Sequence, residues 1–388
     1  MKIRMLSLTA AVMLLSLPAL PVGAADRFEV QELPDGTVAV TCSDTSITNA
    51  VIPDQIDGKA VTALAEHCFD GCASLTSVTF PAGLTEIGSY AFQGCMAMET
   101  VEIPATVETI GDFAFEGCIS LTAITVEAGN PSYKDVDGVL YTADETLLLR
   151  YPAARDAQNY IVSSQTTDIA PWCFTDCQNL RKVDASMVTA IGADCFMGCP
   201  TLNTVLLPEH LEELIGAAFA RCSKLRILDL PDSLKRIGDR CFYGCAELKS
   251  LELPDGLESI GEMAFYGCTG IHTLTVPGST VTFGEKSIGY SVSTEGKDVL
   301  IPDFRISAPL GSKAAAYAKK NGIRCHKTMS KETGVYVLIG LLLTVLLLVG
   351  TVLSIQSARK QRQAEAAQLA EAERLKRVEA LRAARKKK

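Results

Sequence analysis

Cysteine is the residue type whose number and spacing most suggest chemistry in this sequence. The chain of 388 residues has 14 cysteines, and eight of them form four Cys-x-x-x-Cys pairs: Cys68/Cys72, Cys173/Cys177, Cys195/Cys199 and Cys241/Cys245. Structural zinc usually takes Cys-x-x-Cys pairs or a mixture of cysteine and histidine, and the chain has only 4 histidines. The spacing therefore argues against a metal site, and we predict no metal and no cofactor.

Catalytic side chains are the second possibility. The sequence contains no G-x-S-x-G elbow, Walker loop, HExxH motif or EF-hand loop, and its four histidines stand apart: His67, His210, His272 and His326. Paired carboxylates are frequent but uninformative, because the whole surface is acidic. A glycan-binding or glycan-degrading enzyme would carry exposed tryptophan or tyrosine platforms, and we interpret the single tryptophan, Trp172, as a core residue. We predict no catalytic residues and no enzymatic activity.

An internal repeat fills the middle of the chain. A phenylalanine is followed three residues later by a cysteine at Phe69…Cys72, Phe92…Cys95, Phe115…Cys118, Phe174…Cys177, Phe196…Cys199, Phe219…Cys222, Phe242…Cys245 and Phe265…Cys268. The spacing between successive phenylalanines is 23, 23, 59, 22, 23, 23 and 23 residues. Self-similarity at a fixed period of this length is the signature of a solenoid.

Each repeat unit consists of a short strand followed by a turn. The alternation in Leu75-Val78-Phe80-Pro81 indicates a strand with one buried face, and the proline ends it because it has no N–H to donate. An Ile-Gly step such as Ile87-Gly88 follows, and the residues up to the next phenylalanine form a helical turn. One unit cannot bury its own apolar residues. We therefore predict an α/β solenoid of leucine-rich repeats, with about ten stacked coils of short parallel strands and helical turns.

The full pattern, I-G-x-x-A-F-x-x-C-x-x-L-x-x-V-x-I-P, resembles the BspA-type leucine-rich repeat of bacterial cell-surface proteins. The first coil, around Ile52-Pro53, and the C-terminal cap, 299–328, are similar to the ends of such proteins. Residues 127–167, within the 59-residue spacing, resemble the long hairpin-bearing repeat of the family. The resemblance covers about residues 28–325. It implies surface adhesion or recognition without specifying a ligand.

The two ends of the chain predict export and anchoring. Residues 1–25 combine a basic start, a short apolar run and small residues, as a secretory signal peptide does. Residues 334–355 are uncharged and long enough for one transmembrane helix, and the basic, helical tail 356–388 favours the cytoplasmic side. We predict a single-pass membrane protein with its ectodomain, 26–328, outside the cell. The alternative is a sortase wall-sorting signal, in which Ser330-Lys331 would replace the expected Leu-Pro.

Charge limits the partners of the ectodomain. The tail carries +7 and the leader +2, so the overall charge of -9 leaves -18 for residues 25–333. An acidic ectodomain disfavours nucleic acid. The predicted partners are an extracellular protein or glycan, together with the membrane that holds the transmembrane helix.

The repeat and the export signal together indicate the state of the cysteines. Cys68, Cys173, Cys195 and Cys241 precede a phenylalanine where other repeats have alanine, which indicates a small, buried position. Disulfides between adjacent coils are the alternative, because exported proteins form them, but a ladder of identical positions offers no unique pairing. We predict buried free thiols and assign no role to Cys42 and Cys325.

Outward strand residues of stacked coils form columns on one face. Leu206 and Ile227 are apolar positions on neighbouring coils within an acidic rim, a pattern typical of a protein-binding spot. An ordinary solvated β face is the alternative. We predict a ligand-binding surface made by Glu102, Lys182, Asp184, Leu206, Ile227, Asp229 and Glu252.

These features predict an interaction protein that acts in adhesion or recognition of an extracellular protein or polysaccharide. The alternative is a surface receptor that passes ligand binding to a cytoplasmic partner of the tail. The tail contains no recognisable signalling domain, which favours the first hypothesis.

Overall fold

The structure, a computed structural model, describes residues 27–329 and 331–385. The chain divides into two compact units between His326 and Lys327. The first unit is built from short strands, and the second contains one long helix. The predicted signal peptide, residues 1–25, lies outside the described residues, as do residues 386–388 at the end of the predicted tail.

Twenty-eight strands and two helices make up the described chain. The strands before the long repeat are β1 (Phe28–Glu32), β2 (Val38–Cys42), β3 (Asn49–Val51), β4 (Gln55–Ile56), β5 (Lys59–Leu64), β6 (Ser77–Thr79), β7 (Glu86–Ile87), β8 (Thr100–Ile103), β9 (Thr109–Ile110) and β10 (Ala123–Val126). The next are β11 (Tyr133–Val136), β12 (Val139–Thr142), β13 (Leu147–Arg150), β14 (Asn159–Ile161), β15 (Asp168–Ile169), β16 (Lys182–Asp184), β17 (Ala190–Ile191), β18 (Thr204–Leu206), β19 (Glu213–Leu214), β20 (Ile227–Leu228), β21 (Arg236–Ile237) and β22 (Ser259–Ile260). The chain then forms β23 (Thr273–Thr275), β24 (Thr282–Phe283), β25 (Tyr290–Val292), β26 (Asp298–Leu300), β27 (Arg305–Pro309), helix α1 (Lys313–Lys320), β28 (Arg324–Thr328) and helix α2 (Lys331–Arg385).

Parallel strands from successive coils form two ladders. The Leu-x-x-Val-x-Ile segments form the first ladder, in which β14, β16, β18 and β20 are neighbours and Val183, Val205 and Leu228 lie in register. The Ile-Gly segments form the second, in which β5, β7 and β9 pair in parallel. Residues of the first ladder alternate between core and solvent, as a half-buried strand requires. The predicted solenoid class is confirmed, as a β-solenoid of about 13 turns.

Tight turns connect the second ladder to each Phe-x-x-Cys segment. Gln93 N donates to Tyr90 O at 3.0 Å, and Cys95 N donates to Phe92 O at 3.1 Å. Bonds of this i to i+3 kind are typical of 3₁₀ turns, so the predicted helical turns take the tighter form. Within residues 27–326, the one α-helix is α1.

Phenylalanine rings stack along the inside of the coils, as the repeat predicts. Successive rings of Phe174, Phe196, Phe219, Phe242 and Phe265 have centroids 5.1, 5.3, 5.6 and 5.1 Å apart. All five side chains are buried. A shorter stack of the same kind runs through the coils before residue 127. Each ring therefore fills the space between its neighbours.

The long repeat inserts an antiparallel hairpin between two hydrophobic cores. Strands β11, β12 and β13 pair antiparallel in sequence, and β13 then pairs in parallel with β15. Side chains of β12 alternate between the two cores: Val139 and Tyr141 pack into the C-terminal core, and Leu140 packs into the N-terminal core. Strand β12 thus separates the two hydrophobic cores.

Dedicated elements close both ends of the solenoid. Strands β1 and β2 form an antiparallel hairpin at the start. At the other end, β27 and β28 join β23 in one sheet, and α1 lies between them in sequence. The Ser312 hydroxyl accepts from Ala315 N at 3.2 Å, which caps the first turn of α1, and Ala314 and Ala318 bury its inner face.

The second unit consists of helix α2, 55 residues long. From Gly334 onwards it contains an 18-residue window with a mean hydropathy of 2.7, and none of that window is buried. By length and composition this helix is able to cross a membrane. The apolar residues 334–355, predicted to span the bilayer, and the described part of the predicted tail both lie in α2.

Candidate binding surfaces

The structure brings four of the seven predicted ligand-binding residues onto one sheet. Lys182, Thr204 and Ile227 align across β16, β18 and β20, and Asp184 aligns with Leu206. Lys182 and Ile227 are exposed, and Asp184 and Leu206 are half-buried. Parallel strand pairing places aligned side chains on the same face of a sheet, so these four residues share one surface.

The other three predicted residues lie elsewhere. Asp229 and Glu252 are exposed but belong to no strand, because β20 ends at Leu228 and the next coil forms no strand in the first ladder. Glu102 is exposed on β8, which pairs with β10 in a separate two-stranded sheet. The long repeat separates that sheet from β14 in the chain. The structure therefore places four of the seven predicted residues on the sheet formed by β14, β16, β18 and β20.

A residue that sequence reasoning missed adds to this surface. Ile161 aligns with Asp184 in the ladder and is 76% exposed, more than the 59% of Ile227. The 59-residue spacing hides its register in the sequence, because the hairpin displaces it from the repeat count. We call Ile161, Lys182, Asp184, Leu206 and Ile227 the sheet patch.

Hydrogen bonds divide the charged residues of the sheet patch into two kinds. The Asp184 carboxylate accepts from Ser186 N at 3.1 Å and from the Ser186 hydroxyl at 2.7 Å. It therefore closes the turn after β16, as an Asx turn does. Lys182 makes no ion pair with any carboxylate of the described chain, which leaves its ammonium group available to a partner.

A second surface is a column of aromatic side chains on left-handed backbone. His67, Tyr90, Phe113 and Trp172 have φ values of 58°, 57°, 59° and 62°. Their rings are in contact from one to the next, with centroids 4.8, 5.1 and 5.5 Å apart. Glycine adopts such φ values at the lowest conformational cost. These four positions nevertheless carry large ring side chains. Positions of this kind often belong to binding sites.

The interpretation of Trp172 as a core residue is wrong. Its side chain is half-buried and lies in the aromatic column, whereas Phe174 occupies the core. The signal was present in the sequence. Pro171-Trp172-Cys173-Phe174 aligns with Ser89-Tyr90-Ala91-Phe92, which places the tryptophan two residues before the core phenylalanine, at the position of Tyr90.

The repeat cysteines have free thiols with a hydrogen-bonding role. Six of them donate to the carbonyl of a phenylalanine in the preceding coil, at 3.0 to 3.3 Å: Cys95, Cys118, Cys199, Cys222, Cys245 and Cys268. Four of these carbonyls, those of Phe69, Phe92, Phe219 and Phe242, also accept the backbone N–H of the cysteine three residues later. A carbonyl oxygen has two lone pairs, so at these positions the thiol adds a second hydrogen bond.

Metal-binding geometry does not occur among the residues that the structure describes, since no three histidine, cysteine or acidic side chains come together as a candidate cluster. In two of the four Cys-x-x-x-Cys pairs the second sulfur donates to a backbone carbonyl, at Cys199 and at Cys245.

Stacked coils with parallel ladders, an internal phenylalanine column and outward strand faces define a leucine-rich repeat solenoid. The sequence matches the family described as "BspA type Leucine rich repeat region" in 6 copies, over residues 39–135 and 167–295. The chain belongs to this family, and the resemblance drawn from the repeat pattern is confirmed.

Several solved structures are similar to this chain. The pneumococcal vaccine antigen PcpA is 23% identical, with 74% of this chain and 67% of PcpA covered at a TM-score of 0.49. A leucine-rich cell surface protein from Faecalibacterium prausnitzii is 21% identical, with 68% and 94% covered at a TM-score of 0.42. A leucine-rich repeat protein from Eubacterium ventriosum is 20% identical, with 71% and 98% covered at a TM-score of 0.48. Comparison with curated proteins gives no significant match.

Proposed function

We propose that this protein is an adhesion or recognition protein, anchored in the cell membrane, which binds an extracellular protein or polysaccharide through the sheet patch. The N-terminal ectodomain lies outside the cell, and the basic tail lies in the cytoplasm. No catalytic role is part of the proposal, since the family is a repeat scaffold.

The observation that carries the proposal is a group of apolar side chains on the outward face of one sheet, of which Ile161 and Ile227 are exposed and Leu206 is half-buried. Ile161, Leu206 and Ile227 lie on β14, β18 and β20 of one sheet. Outward positions of a half-buried sheet are normally polar. An apolar spot surrounded by charged side chains such as Lys182 is typical of a protein interaction site.

The helical unit supports the anchoring part of the proposal. Its apolar segment has the length and hydropathy of a membrane-spanning helix. The 11 lysines and arginines between Ser357 and Lys388 outnumber 4 acidic residues. Basic flanks of this kind are retained in the cytoplasm, which supports an ectodomain outside the cell.

The test compares adhesion of cells that display the wild-type chain with adhesion of cells that display Ile161→Ser/Ile227→Ser. The surfaces are coated separately with extracellular matrix proteins and with purified cell-wall polysaccharides. Removing two apolar anchors from the centre of an interface weakens binding by about tenfold or more. We expect that loss on the surface that the wild-type chain recognises.

The matched control is Met187→Ser, which removes a side chain that is 70% exposed but belongs to no strand. Biotin labelling of intact cells measures how much of each variant reaches the surface. Equal adhesion of the double variant and the wild type, at equal display, would contradict the proposal. So would an equal loss with Met187→Ser.

A further inference from the structure

The coil that contains Tyr151 is shorter than its neighbours. Tyr151 takes the position of a core phenylalanine, because its N–H donates to Cys173 O at 3.0 Å and its ring lies 5.2 Å from that of Phe174. Leu148 pairs with Ile169 in the second ladder. Tyr151 therefore follows Leu148 by three positions, whereas Phe174 follows Ile169 by five positions.

The two missing residues include the left-handed position that carries the aromatic column. Phe113 and Trp172 occupy that position in the coils on either side, and the coil between them has no equivalent. The two rings meet across the gap, with centroids 5.5 Å apart and planes at 89°. A cavity of about 180 Å³ remains, and its lining includes Phe113, Glu116, Arg150 and Trp172.

Arg150 is an unusual residue for such a place. It is only 7% exposed, and it makes no ion pair with any carboxylate in the described part of the chain. One terminal nitrogen donates to Trp172 O at 2.5 Å and to the Thr175 hydroxyl at 2.6 Å. The Nε atom has no partner. Buried guanidinium groups are normally fully hydrogen-bonded, so the guanidinium of Arg150, which lines the cavity, is only partly satisfied by the protein.

Glu116 supplies an acceptor on the same cavity. Its carboxylate accepts from the Gln93 amide at 2.9 Å, which leaves its remaining lone pairs unused by side chains of the described residues. Burial raises the pKa of Glu116, and the positive charge of Arg150 opposes that rise. The cavity thus presents a cationic donor, an anionic acceptor and two aromatic rings.

We infer that this cavity binds one neutral saccharide ring, either as a free sugar or as an end unit of a glycan chain. Sugar hydroxyls both donate and accept, so they are able to pair with the guanidinium of Arg150 and with the carboxylate of Glu116 together. The apolar C–H face of the ring packs on Trp172 or Phe113. Sites of this composition, with apolar walls and a few convergent polar groups, are typical of small-molecule binding.

Size and charge exclude the main competitors. A volume of about 180 Å³ is below the roughly 300 Å³ at which pockets for drug-sized ligands begin, so one ring fills it. The carboxylate of Glu116 and the ectodomain charge of -18 disfavour an anionic ligand. The cavity and the sheet patch share no residues, so the experiments test sugar binding in the cavity and adhesion through the sheet patch independently.

Tryptophan fluorescence tests the inference directly, because Trp172 is the only tryptophan in the chain. The full chain is purified in a polyoxyethylene detergent, since sugar-headed detergents would compete. It is titrated with glucose, galactose, mannose and N-acetylglucosamine, with glucuronate as the anionic arm, and then with oligosaccharides of the sugar that binds. We expect a saturable change with a Kd on the order of 1 mM for at least one neutral sugar.

Two variants locate the effect. Arg150→Lys keeps the positive charge but removes the planar guanidinium, and we expect about tenfold weaker binding. Phe113→Ala removes one wall and weakens binding to a similar degree. The matched controls are Arg236→Lys, at a surface ion pair with Glu213, and His67→Ala, in the same aromatic column but away from the cavity. Both controls keep the wild-type affinity.

The titrations distinguish a glycan end from a free sugar as the ligand, and they show whether the cavity binds a sugar at all. An oligosaccharide that binds more tightly than its monomer identifies a glycan end as the ligand, and equal affinities identify the free sugar. Absence of a saturable change with every neutral sugar overturns the inference. Preference for glucuronate overturns it as well, and so does equal weakening by the cavity variants and their controls.

Discussion

The repeat thiols show how one residue type serves two needs of a solenoid interior. Each must be small enough to fit between coils, and six of them donate a hydrogen bond to a phenylalanine carbonyl of the preceding coil. Alanine meets the first need, whereas cysteine also supplies a donor, as Cys222 does for Phe196 O at 3.0 Å. Burial raises the pKa of the Cys118, Cys173 and Cys268 thiols to about 12. Nucleophilic chemistry needs the thiolate, so these positions are structural.

The burial and the raised pKa of the repeat thiols predict which cysteines react. A thiol with a pKa near 12 is ionised in about one molecule in ten thousand at pH 8, and the repeat thiols are also buried. Cys325 is the half-buried exception among the 14. We expect a maleimide to label Cys325 in the native protein and the other thirteen only after unfolding, as measured by peptide mass spectrometry. Cys325→Ser serves as the control and removes the native labelling.

Two results would contradict the structural role of the thiols. One is native labelling of a repeat cysteine at a rate comparable to that of Cys325. The other is incomplete labelling of the unfolded chain without a reductant, which would reveal disulfides between coils.

Sequence reasoning located side chains well where the repeat count was unbroken. The alignment of Lys182 with Ile227 followed from spacings of 22 and 23 residues, and the ladder has that register. Ile161 and Arg150 could not be found in this way. Their surroundings depend on how the hairpin of the long repeat rejoins the coils, and a spacing of 59 residues does not determine that register.

Turns are the elements that the repeat specifies most tightly. The residue between Phe-x and Cys is left-handed in every coil that contains the motif, and six coils place glycine there: Gly71, Gly94, Gly117, Gly198, Gly244 and Gly267. Arg221, with φ of 62°, and Asp176, with φ of 59°, are the exceptions. The period, the ladders and these turns were predictable because each coil repeats them, whereas the loss of strand pairing after β20 carries no sequence signal that we recognise.

The turn at Arg221 yields a stability prediction. A left-handed conformation costs a residue with a Cβ about 1–2 kcal/mol, and glycine avoids this cost. Glycine also loses more conformational entropy on folding, which offsets about 0.5–1 kcal/mol of the gain. We expect Arg221→Gly to raise the free energy of unfolding by about 0.5–1 kcal/mol, measured by urea denaturation.

The reverse exchange in the next coil is the control. Gly244, with φ of 73°, makes the same turn, so Gly244→Ala should lower the free energy of unfolding by about 1 kcal/mol. An Arg221→Gly variant that is less stable than the wild type would show that the arginine side chain contributes more than the backbone strain costs.

At the scale of the whole molecule, the solenoid is continuous in backbone but divided in its core. The second ladder is interrupted at the long repeat. One of its sheets ends at β9, and its parallel pairing resumes at β13 in another sheet. Hydrogen bonds such as Ala154 N to Leu121 O, at 2.8 Å, join the long repeat to the coil before it. The buried side chains nevertheless form two clusters, with β12 between them. In repeat proteins each unit is stabilised by its interfaces with the neighbouring units. A break in the core therefore weakens the energetic coupling between the coils on its two sides.

Two matched phenylalanines test this division. Phe92 and Phe219 are both 0% exposed, and each stacks on two neighbours at 5.3 and 5.6 Å. Replacing either by alanine costs about 3–5 kcal/mol. If the cores are separate cooperative units, Phe92→Ala accelerates amide hydrogen exchange in the coils before the long repeat, and Phe219→Ala does so in the coils after it. Exchange mass spectrometry resolves the two sets of peptides. Equal acceleration on both sides by both variants would mean that the hairpin transmits the full coupling, because the backbone ladders alone would then hold the two cores together as one unit.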